Sequence, residues 1–116
     1  MPAPSSSKAR LQADIHRLLA MLMQREIDDP RLKALTITRL EISKDGNLAQ
    51  VWLHSQHESD PAECLQKLRR LQAHFEHALR RALPRRRLPK LKFSWDEAYE
   101  AGSHVSDLIS RLNTSS

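Results

Sequence analysis

The chain has 116 residues, 40% hydrophobic and 28% charged, with one cysteine, two glycines and a net charge of +5. That size and balance fit one compact domain and argue against disorder, while the lone Cys64 excludes an intrachain disulfide and leaves a cysteine zinc cluster without ligands, so a reducing cytoplasm is the expected compartment. Met1-Pro2-Ala3-Pro4-Ser5-Ser6-Ser7 lacks an apolar signal core, and the longest apolar run, Leu18 to Met23, falls far short of the ~20 residues that span a bilayer.

Residues 1–6, rich in Pro, Ala and Ser, read as a flexible tail, residues 7–112 as a single domain and residues 113–116 as a second tail. A first helix is expected from near Ser7, with Leu11, Ile15, Leu18, Leu19 and Leu22 forming a narrow apolar stripe, and it should end between Glu26 and Asp29. Pro30 disfavours helical backbone at Asp29, so Asp28-Asp29-Pro30-Arg31 reads as a turn. Leu35 to Ser43 is rich in Thr and Ile with partial alternation and reads as a strand. Lys44-Asp45-Gly46-Asn47 supplies a hairpin, and Ala49, Val51 and Leu53 alternate with Gln50, Trp52 and His54 in the returning strand. One sheet face is therefore buried and the other wet.

After a polar loop from Ser55 to Ser59 comes the strongest amphipathic helix. Asp60 suits the N-cap, Pro61 the first helical position, and Glu63 can complete a capping box. Leu65, Leu68, Leu71, Phe75, Ala78, Leu79 and Ala82 share a stripe, with Lys67, Arg69, Arg70, Arg80 and Arg81 on the other side. Pro84 ends the helix, residues 84–90 form a basic connector, and Leu91, Phe93 and Trp95 alternate as a third strand. Ala101, Val105, Leu108, Ile109 and Leu112 keep helical spacing to a polar end.

The positive charge is localised. From Lys67 to Lys92 there are ten Lys and Arg against one acid, Glu76, a balance of +9; the rest of the chain, nine against thirteen, carries −4. Seven cations occur between Arg80 and Lys92 with no acid among them. Charge runs are commonly solvated surface, but so concentrated a field repels itself unless it meets a counter-charge, which favours a phosphate-binding surface. Arg80, Arg81, Arg85, Arg86, Arg87, Lys90 and Lys92 are its candidate contacts, extended along the helix by Lys67, Arg69, Arg70, His74 and His77.

Other candidates carry less. The pairs His54/His57 and His74/His77 lack the convergent third and fourth ligands of a zinc site, so no metal is expected. Asp28-Asp29 and Asp96-Glu97 fall at element ends, where acids act as caps and turn formers. Cys64 lies at the edge of the apolar stripe without a histidine–base arrangement and reads as a core thiol. With no glycine-rich phosphate loop, neither cofactor nor small-molecule substrate is expected, and nothing points to an enzyme. Trp52, on the wet face, is either a stacking platform for a base or a ring covered by a neighbour, the second being the more common case.

Several strings together resemble bacterial ribosome-binding factor A. Arg25-Glu26-Ile27-Asp28-Asp29-Pro30-Arg31-Leu32 is similar to that family's junction between first helix and first strand, and Thr36 through Asp45 to its first strand and hairpin. Arg87-Leu88-Pro89-Lys90-Leu91-Lys92-Phe93 resembles its approach to the third strand, and Asp96 through Gly102 with Val105, Leu108 and Ile109 its closing helix, so residues 8–112 are covered. The resemblance implies an α+β fold, a type II KH-like domain with helices packed mainly on one face of a three-stranded sheet, in the order α-β-β-α-β-α. It also implies a kink in the long helix, usually at Ala-x-Gly; here Leu71-Gln72-Ala73 puts Ala73 where glycine is expected. The implied function is non-catalytic: binding the immature 30S subunit and its 16S rRNA, supporting late maturation and rRNA processing, above all in the cold, by a monomer that leaves the finished particle. The rival reading is a basic module that meets acidic protein or anionic lipid away from the ribosome, although the helix leaves little apolar surface to insert into a membrane.

Overall fold

The computed structural model describes residues 4–55, 60–84 and 87–99, with side chains from Ser7 onward. In chain order these form α1 (Pro4–Arg25), α2 (Pro30–Lys33), β1 (Leu35–Ile42), β2 (Leu48–Ser55), α3 (Pro61–Ala82) and β3 (Lys90–Trp95). Residues 97–99 begin another helical turn; the closing helix expected beyond them lies outside the described residues. Two sequence expectations shift. Helix α1 starts at Pro4, three residues before the expected onset near Ser7. The stretch read as a simple turn contains a one-turn helix, α2, because the Asp29 carboxylate accepts the Arg31 N–H at its N-cap and Pro30 fits the first helical position.

The sheet runs β1-β2-β3, antiparallel between β1 and β2 and parallel between β2 and β3. A tight hairpin joins β1 to β2: the Asp45 carboxylate takes the Ser43 hydroxyl and the Asn47 N–H, and Gly46 adopts φ +75, a left-handed conformation that side chains resist. The parallel pair needs a crossover, which α3 supplies. Pro84 sets the end of that helix, since the preceding Leu83 turns to extended backbone at φ −109, ψ 127.

One face of the sheet is covered. Leu35, Ile37, Leu40 and Ile42 of β1, Ala49, Val51 and Leu53 of β2, and Leu91 and Phe93 of β3 are buried against Ile15, Leu19 and Met23 of α1 and Leu68, Phe75 and Leu79 of α3. Phe75 and Phe93 meet edge-on with centroids 6.2 Å apart. Each fully buried side chain of this kind contributes about 1.5–3 kcal/mol. A register shift between Ile37 and Arg39 marks a β-bulge at Thr38, which explains the partial alternation: the inward set changes from odd to even numbers across it. Without that extra residue Arg39 would point into the core. Both edge strands are tied to helices. The Ile42 N–H of β1 donates to Gln12 Oε1 of α1 at 3.0 Å, and the Leu91 N–H of β3 donates to Glu76 Oε2 of α3 at 2.8 Å.

Candidate nucleic-acid interface

Helix α3 divides into four sides at about 100° per residue. Cys64, Leu68, Phe75 and Leu79 face the core. Gln72 and Glu76 face the β3 edge, where Glu76 holds both the Gln72 amide and the Leu91 N–H. A third side is fastened to the segment between α1 and β1. Arg31 Nη1 lies 2.7 Å from Glu63, Lys67 Nζ lies 2.7 Å from Asp29 and 3.4 Å from Glu63, and His74 Nε2 lies 2.5 Å from Glu26. Positions 63, 67 and 74 fall in one stripe, and Leu32 is buried behind the contacts. The Asp29-Pro30-Arg31-Leu32 string thus acts as a clamp that docks the first turns of α3. Asp29 is held below the ordinary carboxylate range, chiefly by the Lys67 ammonium and then by the Arg31 N–H, and Lys67 is raised by its bond to Asp29.

The fourth side is bare. Arg69, Arg70, Ala73, His77, Arg80 and Arg81 are exposed within about 120° of arc. None of the four arginines has an acid partner among the described residues. Four unpaired guanidinium groups along one helix face form a ready surface for a phosphate backbone, since each offers a planar fork of donors.

The candidate contacts therefore do not form one patch. Lys67 and His74, expected to extend the phosphate surface, are engaged with acids of the segment between α1 and β1, Lys67 part-buried and His74 at the surface. Glu63, expected to close a capping box, instead receives Arg31 and Lys67, while Asp60 caps α3 alone through the Ala62 and Glu63 N–H groups. Arg87 reaches back to the hairpin, its Nη2 donating to Asn47 Oδ1 at 2.5 Å, and the Lys90 N–H donates to the Asn47 carbonyl at 2.9 Å. Lys90 and Lys92 alternate with the inward Leu91 and Phe93, so they belong to the sheet's outer face, across the sheet from the α3 arginines. Arg85 and Arg86 lie outside the described residues.

The remaining candidates take ordinary roles. Cys64 is buried and its thiol is pushed up by that burial. Asp29 caps α2, and Asp96 accepts the Tyr99 N–H at the start of the last turn. Trp52 is half-buried, with the Arg39 guanidinium 3.8 Å above its ring. Sequence reasoning missed the clamp because its pairs join residues 32 to 48 positions apart, a separation at which no periodicity speaks. The bulge did leave a signal, the phase change between Ile37 and Leu40.

A mixed three-stranded sheet, with the long helices α1 and α3 of the described residues on one face and an unpaired arginine stripe on α3, defines a small α+β domain of the type II KH-like kind. A family model described as ribosome-binding factor A matches residues 7–109, and the chain belongs to that family. It is 39% identical over 111 residues to ribosome-binding factor A of Azoarcus sp., spanning 94% of this chain and 87% of that protein. It is 34% identical over 110 residues to that of Thiobacillus denitrificans, spanning 94% and 89%. The crystal structure of ribosome-binding factor A from Thermus thermophilus superposes with a TM-score of 0.68 at 36% identity, covering 76% of this chain and 93% of that one. A homology model of the T. thermophilus protein, fitted into a cryo-EM map of a 30S–RbfA complex, gives 0.66 at 37% identity, covering 78% and 97%.

Proposed function

We propose that this chain is a non-catalytic assembly factor that binds the immature 30S subunit through its 16S rRNA and supports late maturation and processing of that RNA in the cytoplasm. The observation that carries this reading is the unpaired arginine stripe of α3, in a chain of the ribosome-binding factor A family. The 30S complex of the T. thermophilus relative supports the choice of partner. Phosphate contacts by Arg69, Arg70, Arg80 and Arg81 position the protein without reading bases, so selectivity comes from RNA shape. Arg85, Arg86 and Arg87 follow the stripe past the end of the helix, and Lys90 and Lys92, on the outer face of the sheet, are phosphate contacts apart from it. His77 adds to the stripe, and Lys67 and His74 act by fixing the pose of α3. The factor works as a monomer and needs neither metal nor cofactor.

Co-sedimentation tests the reading. Small subunits from cells arrested in assembly retain the wild-type protein on a sucrose gradient. Replacing Arg85, Arg86 and Arg87 together with glutamine releases it into the free fraction. A wild-type protein that never enters the small-subunit fraction would overturn the ribosomal reading in favour of a basic module with another partner.

A further inference from the structure

The outer face of the sheet carries a second feature that the α3 stripe does not absorb. Across β1, β2 and β3 its residues fall in register rows: Arg39, Trp52 and Ser94 in one, Glu41, Gln50 and Lys92 in the next, then Leu48 and Lys90 toward the hairpin. The bulge at Thr38 creates the first row. It turns Arg39 outward and sets it opposite Trp52, with the Thr38 hydroxyl pinned to the Trp52 carbonyl and to Asp96. The guanidinium lies 3.8 Å over the indole ring, and Glu41, 3.8 Å from Arg39 Nε, steadies it from the side. The stack is partly exposed, the Arg39 side chain being 56% exposed. Beside it the Gln50 amide donates to the Ser94 hydroxyl at 3.2 Å. Lys92 stands about 8 Å away by strand spacing and rise, on the same face. Arg39, Lys90 and Lys92 share this face with Glu41, and Asp96 lies at its edge against Thr38, so among the described residues the surface keeps a small positive balance and is planar.

We propose that this outer face is a second RNA contact, at which one unstacked base lies on the Arg39–Trp52 stack and the adjoining phosphates meet Lys92 and Lys90. It rests on the reading that the protein binds ribosomal RNA, and it specifies what kind: a strand with an unpaired base, because a paired base cannot leave its neighbours to lie on a guanidinium plane. The charge of the face disfavours an apolar peptide, and the flat aromatic–guanidinium stack favours a nucleic-acid strand over an acidic peptide, since it matches a base while the flanking lysines match phosphates. The two contacts have separate tasks. The α3 stripe holds any RNA backbone, and the sheet face tells single strand from duplex.

The test uses the full-length protein with Trp95→Phe, so that Trp52 is the remaining tryptophan, and a short unpaired RNA oligonucleotide against the same sequence as a duplex. Single-stranded RNA quenches Trp52 emission and binds more tightly than duplex. Arg39→Gln combined with Lys92→Gln, both exposed positions, lowers single-strand affinity on the order of tenfold and leaves duplex affinity within about twofold. Arg80→Gln with Arg81→Gln lowers both affinities and preserves their ratio. An unchanged ratio in the Arg39/Lys92 variant, or Trp52 emission indifferent to single-stranded RNA, overturns the proposal. So does loss of small-subunit binding in that variant with naked-RNA affinity intact, which assigns the face to a protein. If the Arg80/Arg81 variant binds RNA and subunits like wild type, it is the helix assignment that fails.

Discussion

Asp29 and Lys67 join the two ends of the clamp: one oxygen of the carboxylate caps α2 through the Arg31 N–H, and the other meets the Lys67 ammonium of α3 at 2.7 Å. Substitution separates these tasks. Asp29→Ser keeps a capping oxygen and loses the ion pair, whereas Asp29→Ala loses both. Thermal unfolding followed by circular dichroism should rank stability as wild type, then serine, then alanine. Equal midpoints for the two variants would remove the cap from the argument.

The same pair responds to pH at both extremes. Asp29 is lowered, so its contribution is complete above the unfolded carboxylate value of about 3.9 and is lost as pH falls through the lower folded value. Lys67 is raised, so its contribution is complete below about 10.4 and is lost as pH rises through the higher folded value.

Asp96 offers a cleaner titration. Its carboxyl is lowered first by the Thr38 hydroxyl and then by the Tyr99 N–H. The stabilisation from that hydroxyl is present above about pH 3.9 and disappears as acid protonates the folded carboxylate. Thr38→Val, which keeps the β-branched shape, should therefore unfold more readily than wild type near neutral pH, and the gap should close in strong acid. Urea midpoints across a pH series measure it, and a gap constant with pH would attribute the loss to the bulge alone.

Helix α3 passes through Ala73 as one uninterrupted element. The resemblance implied a kink there, and this sequence has an exposed alanine at the middle of the arginine stripe. Ala73→Gly should cost about 1 kcal/mol, the difference in helix propensity, with no change in core packing. Denaturant unfolding reads the cost directly, and a gain in stability would mean that the wild-type helix is held straighter than its surroundings favour.

The arginine stripe predicts a salt signature. Each lost phosphate contact reduces the slope of log affinity against log salt by roughly 0.7 to 0.9. Replacing Arg80 and Arg81 with glutamine should lower the slope for RNA by about twice that amount. Lys67→Gln should leave the slope nearly unchanged, because its ammonium is committed to Asp29 and Glu63, and weaken binding only as far as it loosens α3.

What was legible in the sequence follows from the range of each interaction. The core stripe of α3, the hairpin with Gly46, the alternation of β2 and the caps at Asp60 and Asp96 are written in residues a few positions apart, and the structure has them largely as read, except that Ala82 of the stripe is exposed and Cys64, placed at its edge, is buried with Leu68, Phe75 and Leu79. The location of positive charge was equally plain, but its division was not. Lys67 shares a helix with Arg69 and Arg70 and differs from them only in having Asp29 within reach, 38 residues upstream. Lys90 ends the basic connector and Lys92 follows it, yet both face the other way in space, because β3 must turn Leu91 and Phe93 inward, Phe93 to meet Phe75. Parity along a strand predicts that much once the strand is known to be one-sided. It does not say which helix lies on the covered side.

The two tied sheet edges bear on how the protein survives at high concentration. An open β-strand margin recruits its like, and polymers of sheet grow from such margins. Gln12 occupies the Ile42 N–H on one margin and Glu76 the Leu91 N–H on the other, so an incoming strand finds a donor already spent on either side and, at β3, a carboxylate in its path. The fold carries its own stops against meeting copies of itself.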